Sequence, residues 1–131
     1  KEDRRAVFLH LRSEIPEMEL VYNRIMSNKD FRRKYVRGTK TDVRKAILTA
    51  YMVEYFTGVP AIYSLSMFLA ESGLKPDLKN RFGSYGLAQI STGGPQVEFS
   101  SRFKSISPSI YRNRTNQIEY NILANTKAFR D

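Results

Sequence analysis

The sequence has no cysteine, which removes disulfides, thiolate nucleophiles and thiolate zinc sites together. That absence suits an oxidising envelope and a reducing cytosol equally well, so it does not fix a compartment. The sole histidine, His10, gives no basis for a multi-histidine metal site or a Ser-His-Asp triad, and an isolated imidazole reads as a surface or packed residue. No apolar run of about 18 residues or more occurs, so no transmembrane helix is encoded. Glycine and proline are dispersed, and there is no Gly/Ser or Gln/Asn tract and no internal repeat, which argues against disorder and repeat architectures. The chain begins at Lys1 without an initiator Met, which is expected of a processed or excised piece.

What remains is an ordinary globular composition over 131 residues, enough for one hydrophobic core and one domain spanning 1–131. A formal charge of +9 favours anionic partners through long-range steering. Nucleic acid, anionic lipid and anionic cell wall all qualify. The basic residues are scattered, apart from Arg32, Arg33, Lys34 and Arg37, and no aromatic-glycine string of the RNA-binding type accompanies them. That cluster is read as a solvated face, and no nucleic acid is expected.

Hydrophobic periodicity predicts a mainly α protein. Met18, Val21, Tyr22, Ile25 and Met26 form the stripe of an amphipathic helix, with Pro16 in its first turn. A separate short helix is expected around Val7–Leu11, and 31–41 reads as a helix end followed by a loop at Gly38. Asp42 is expected to cap the next helix, which carries Val43, Ala46, Ile47, Ala50 and Val53 and stops at Gly58. Residues 61–70, after Pro60, are apolar on nearly every side, the signature of a buried central helix. Gly73 and Pro76 end it. A very short extended segment is expected at 83–90, and Thr115 caps a last helix carrying Ile118, Ile122 and Phe129.

Glu71 thus sits in the final turn of the most apolar helix. Desolvation by that helix and the partial negative charge at its C-terminus would both keep the proton on the carboxyl group. A carboxylic acid held neutral near pH 7 suits protonation of a departing glycosidic oxygen. The alternative is a glutamate on the wet last turn.

Glu71-Ser72-Gly73, followed thirteen residues after Gly73 by Gly86-Leu87-Ala88-Gln89-Ile90, resembles the lytic transglycosylase family with its lysozyme-like fold. The Thr57-Gly58-Val59-Pro60 turn and Asn121-Ile122-Leu123-Ala124-Asn125 are similar to further family motifs, with Asn125 where Gly is usual. The likeness covers about 43–129, loosely at 92–114. It implies that Glu71 is the catalytic acid and then base on the bond between N-acetylmuramic acid and N-acetylglucosamine, closing a 1,6-anhydro ring on the muramoyl sugar.

The same resemblance implies substrate-binding roles for Ser72, Tyr85, Gly86, Gln89, Tyr22 and Asn121. Ser72 would orient the Glu71 carboxylate, Gln89 would bond substrate, and Gly86 would admit the sugar. Ala88 stands where the family usually has Met, which would widen that wall of the cleft. It further implies peptidoglycan glycan strands as partner, no metal or cofactor, a monomeric domain or part of a larger envelope protein, and a bacterial periplasm or envelope setting, or a phage origin. A lysozyme-type hydrolase on the same fold and a non-catalytic wall-binding or assembly module are the alternatives. A hydrolase of this class needs a second acid; Asp77, flanked by Lys75 and Lys79, is the nearest and is expected to be exposed.

The family's Ala-Tyr-Asn motif, placed after the Asn-Ile helix, is missing before Asp131. Val21-Tyr22-Asn23 lies instead in the N-terminal 1–40 segment, ahead of the motif-bearing 41–131 region. A circular permutation would account for that order, and it predicts that the helix bearing Tyr22 packs beside Glu71.

Overall fold

A computed structural model describes residues 4–81 and 84–89. The mainly α expectation is met: among the described residues four helices follow one another, α1 (Arg4–Ser27), α2 (Lys29–Tyr35), α3 (Lys40–Thr57) and α4 (Ala61–Ser72). Among the described residues the only extended pairing is an isolated antiparallel bridge between Lys79 and Tyr85.

The first correction concerns α1, which runs unbroken for 24 residues with Pro16 inside it rather than at its start. Proline there removes one backbone hydrogen bond, normally a loss of about 3 kcal/mol. Tertiary packing offsets that loss, because the apolar stripe continues on both sides of Pro16. Leu11 precedes it, Met18, Val21, Tyr22, Ile25 and Met26 follow, and all pack against the core.

Side-chain contacts fix α1 antiparallel to α3. The His10 and Tyr55 rings lie 4.8 Å apart, the Tyr51 hydroxyl donates to Glu17 at 2.5 Å, and Arg44 donates to Glu19. Tyr51 is almost fully buried. Burial, then the hydrogen bond to Glu17 and the nearby carboxylates of Glu14 and Glu54, raise its phenol above its ordinary value of 10.0. A folded-state value raised above the unfolded one contributes stability that is complete below about pH 10 and is lost as pH rises further. Tyr51→Phe is therefore expected to cost roughly 1 kcal/mol at pH 7 and to flatten the alkaline loss. Chemical denaturation at pH 7 and at pH 11 checks both; a variant whose alkaline decline matches wild type would remove Tyr51 as its source.

α2 has its own cap, since the Asn28 side chain accepts from the Phe31 N–H at 3.0 Å. At α3 the second correction arises: Thr39, not Asp42, is the N-cap. Thr39 Oγ1 accepts from the Asp42 N–H at 3.1 Å and Asp42 Oδ2 accepts from the Thr39 N–H at 2.9 Å. This reciprocal box needs a hydroxyl residue three positions before an acid, a pattern that Thr39-Lys40-Thr41-Asp42 satisfies.

The core lies between α3 and α4. Val43, Ala46, Ile47, Ala50 and Tyr51 from α3 meet Ala61, Leu65 and Phe68 from α4, and Leu74 and Leu87 close the end. Fully burying a side chain such as Phe68 contributes roughly 1.5–3 kcal/mol. The third correction is that α4 is not covered all round, since Ile62, Tyr63 and Met67 are exposed. Its apolar composition made every face look buried, whereas packing on α3 uses one face. Ser64, on the buried face, has a hydroxyl with no partner among the described residues. Ser64→Ala removes an unsatisfied polar group and is expected to be neutral or stabilising by up to about 1 kcal/mol. Thr49→Val deletes the 2.7 Å bond from Thr49 Oγ1 to the Lys45 carbonyl and is expected to destabilise by a similar amount. Paired thermal melts should move in these opposite senses.

Candidate active site at the end of helix α4

Gly58 ends α3 and Gly73 ends α4, both in the left-handed conformation expected of them. The Gly73 N–H donates to the Leu69 carbonyl at 3.1 Å, and the Leu74 N–H donates to the Phe68 carbonyl at 3.3 Å. From the other side, the N–H groups of Arg37 and Gly38 both donate to the Gly73 carbonyl, at 2.8 and 3.2 Å. The loop between α2 and α3 therefore crosses directly over the residue two positions after Glu71.

Next, Pro76 is buried and Asp77 is exposed, with Asp77 paired to Lys75 at 3.2 Å. The chain then folds back on itself. The Asn80 N–H donates to the Ser84 carbonyl, the Ser84 N–H to Asn80 Oδ1, and the Gly86 N–H to the Leu78 carbonyl at 3.0 Å. Tyr85 and Leu87 are buried, and Ala88 packs against the core.

Glu71 stands on the solvent side of this junction. Its side chain is exposed, so the apolar shielding expected for it is corrected: α4 buries Ser64, Leu65, Phe68 and Ser72, and Glu71 flanks that face on the wet last turn, the alternative reading. Among the described residues it has no hydrogen-bond or ion-pair partner. Several other acids are engaged, Glu17 with Tyr51, Glu19 with Arg44, Asp30 with Arg33, Asp42 with the Thr39 N–H and Asp77 with Lys75, whereas Glu54 near the end of α3 is like Glu71 without such a partner among the described residues.

The remaining expected site residues are placed as follows. Ser72 is fully buried; its hydroxyl donates to the Phe68 carbonyl at 3.0 Å and accepts from the Lys75 N–H at 3.3 Å. A hydroxyl has one proton to give, so Ser72 fastens the helix end and does not orient Glu71. Gly86 adopts φ 90, which admits the tight turn. Gln89, itself left-handed at φ 52, donates from Nε2 to the carbonyls of Leu78 and Gly86, both at 2.8 Å. Its carboxamide nitrogen holds the turn.

Tyr22 lies beneath the Arg44 guanidinium, 3.7 Å from ring centroid to carbon, in a small cavity shared with Ile15, Met18, Glu19 and Ile47. These contacts join α1 to α3, so the packing of Tyr22 lends the permutation no support. Asn121, with Ile90 and the expected final helix after Thr115, lies outside the described residues.

One feature escaped the sequence reading. A cleft of about 450 Å³ lined by Lys29, Arg32, Arg33, Val36 and Gly38 opens beside the Gly38–Gly73 crossing. The cation density of 29–37 was the available signal, but convex and concave surfaces look alike in sequence. No protein-family model, curated protein or solved structure matches this chain.

Proposed function

We propose that the chain is the catalytic domain of a peptidoglycan lytic transglycosylase, with Glu71 as its acid and base. One observation carries the reading: Glu71 is an exposed carboxyl group without a partner among the described residues, on a helix end that is otherwise rigidly tied by Ser72, Gly73 and Leu74. A helix C-terminus disfavours a bare negative charge. A carboxylate kept free against that field is available for a ligand.

In the free protein water solvates Glu71. A glycan strand laid across the helix end would displace that water from the reacting atoms. The acid gives its proton to the glycosidic oxygen between the muramoyl sugar and N-acetylglucosamine, and the bond to the muramoyl C1 breaks. The resulting carboxylate takes the proton of the muramoyl C6 hydroxyl as that oxygen bonds to C1, closing the 1,6-anhydro ring. No second acid is required. Asp77, the nearest other acid in sequence, is turned to Lys75 at 3.2 Å. Gly86 and Gln89, in the turn that follows, would meet the sugar.

Mass spectrometry of digested cell wall tests the reaction type. Anhydromuramoyl ends are expected. Reducing ends would identify a hydrolase instead, and an intact wall that still sediments the protein would identify a binding module.

A further inference from the structure

We propose that the cleft between α2 and the Gly38 turn is a carboxylate-binding subsite, which takes the peptide stems of the glycan strand lying at Glu71. The identity of this ligand rests on the catalytic reading above; the anion-binding character of the cleft does not.

Among the described residues the basic charge there meets few acids. Residues 29–37 hold Lys29, Arg32, Arg33, Lys34 and Arg37 against a single acid, Asp30, which pairs with Arg33 at 3.0 Å on the open surface. Exposed pairs of this kind are weak and readily exchanged. Glu17 and Glu19 of α1 are held on the α1–α3 seam by Tyr51 and Arg44, and Asp42, which stands beside Gly38, accepts from the Thr39 N–H. A merely solvated basic face spreads its charges outward. Here Lys29, Arg32 and Arg33 line one concavity, and guanidinium forks match carboxylate geometry in pairs.

Position selects the ligand. Arg37 and Gly38 are hydrogen-bonded to the Gly73 carbonyl, so the cleft adjoins the helix end that presents Glu71. A nucleic acid passing from the cleft would bring a charged backbone against the free Glu71 carboxylate. A glycan strand brings a neutral sugar backbone to Glu71 and sets its carboxylates aside on stems, where the cations stand.

The test uses the full chain in the Glu71→Gln background, with and without Lys29→Gln, Arg32→Gln and Arg33→Gln together. Sedimentation is measured with intact peptidoglycan, with peptidoglycan whose stems have been removed by an amidase, and with duplex DNA as competitor. Removing the three charges is expected to weaken binding to intact wall about tenfold and to leave binding to stem-free glycan unchanged, with the melting temperature held. Arg32→Lys with Arg33→Lys keeps the charge but not the fork and should restore only part of the affinity. Equal binding of intact wall with and without the charges would overturn the proposal, as would an equal loss on both glycans or displacement by DNA at lower concentration than by soluble stem peptide. If the wild-type chain leaves the wall uncut while the intact-versus-stripped contrast persists, the role of Glu71 fails and the subsite stands. Cleavage without the contrast has the reverse meaning.

Discussion

Glu71→Gln is expected to lower peptidoglycan cleavage by roughly 10³-fold and to leave the melting temperature unchanged within measurement. Both halves follow from the same geometry. The side chain is exposed and has no partner among the described residues, so the amide replaces the carboxylate without breaking a contact, and surface substitutions of this kind fall within about 0.5 kcal/mol. The amide has nearly the shape of the acid but cannot carry a proton to the leaving oxygen or accept one from the C6 hydroxyl. Turbidity of a wall suspension gives the rate, and calorimetry gives the stability. Asp77→Asn is the companion, breaking the Lys75 pair; a one-carboxylate mechanism expects a change of less than about threefold, since the lost pair is exposed. Should Asp77→Asn prove as inactive as Glu71→Gln, two carboxylates would be at work and the product would be a reducing sugar. Should Glu71→Gln retain the wild-type rate, the catalytic assignment would be lost outright.

The sequence patterns that survived folding were those set by local chemistry. Gly58 and Gly73 stop their helices as their residue type demands, and the stripes of α1 and α3 face the core because a 3.6-residue period leaves no other face to bury. Misreadings occurred where two signals competed. Pro16 is a strong local break, yet α1 continues through it because its stripe is anchored on α3 from both sides. Thr39 and Asp42 are both good caps; which one occupies the N-cap was decided by their spacing, with the acid reaching back. At the site, Ser72 and Gln89 were legible as motif positions but not as structural fasteners. Their polar atoms point to carbonyls of Phe68, Leu78 and Gly86 that become neighbours only once the turn has formed. The exposure of Glu71 was likewise hidden, because composition reports how apolar a helix is and not how many of its faces are covered.

Three glycines separate the two reasons for which a glycine is needed, and Gly73→Ala is expected to be the most damaging substitution among them. At Gly58 the backbone is left-handed, φ 80, and an added Cβ meets nothing within 4 Å. Alanine there carries only the conformational penalty, about 1 kcal/mol. At Gly38 no left-handed φ is involved, but a Cβ would stand 2.5 Å from the Leu74 carbonyl oxygen and 2.7 Å from Asp42 Cβ. Backbone on one side and the capping box on the other leave little room to yield, so alanine is expected to cost roughly 2 kcal/mol. Gly73 combines both conditions, with φ 62 and a Cβ that would lie 2.6 Å from Arg37 Cγ and 2.9 Å from the Arg37 nitrogen. That nitrogen also donates to the Gly73 carbonyl, so relieving the clash lengthens the bond that ties the crossing together. A loss of about 3 kcal/mol is expected, which lowers the melting temperature by roughly 10 °C in a chain of this size. The order Gly58→Ala, then Gly38→Ala, then Gly73→Ala in falling stability is the measurement that matters. If Gly73→Ala proved no worse than Gly58→Ala, the crossing would not be closed in solution, and the cleft beside it would lose the wall that places it next to Glu71.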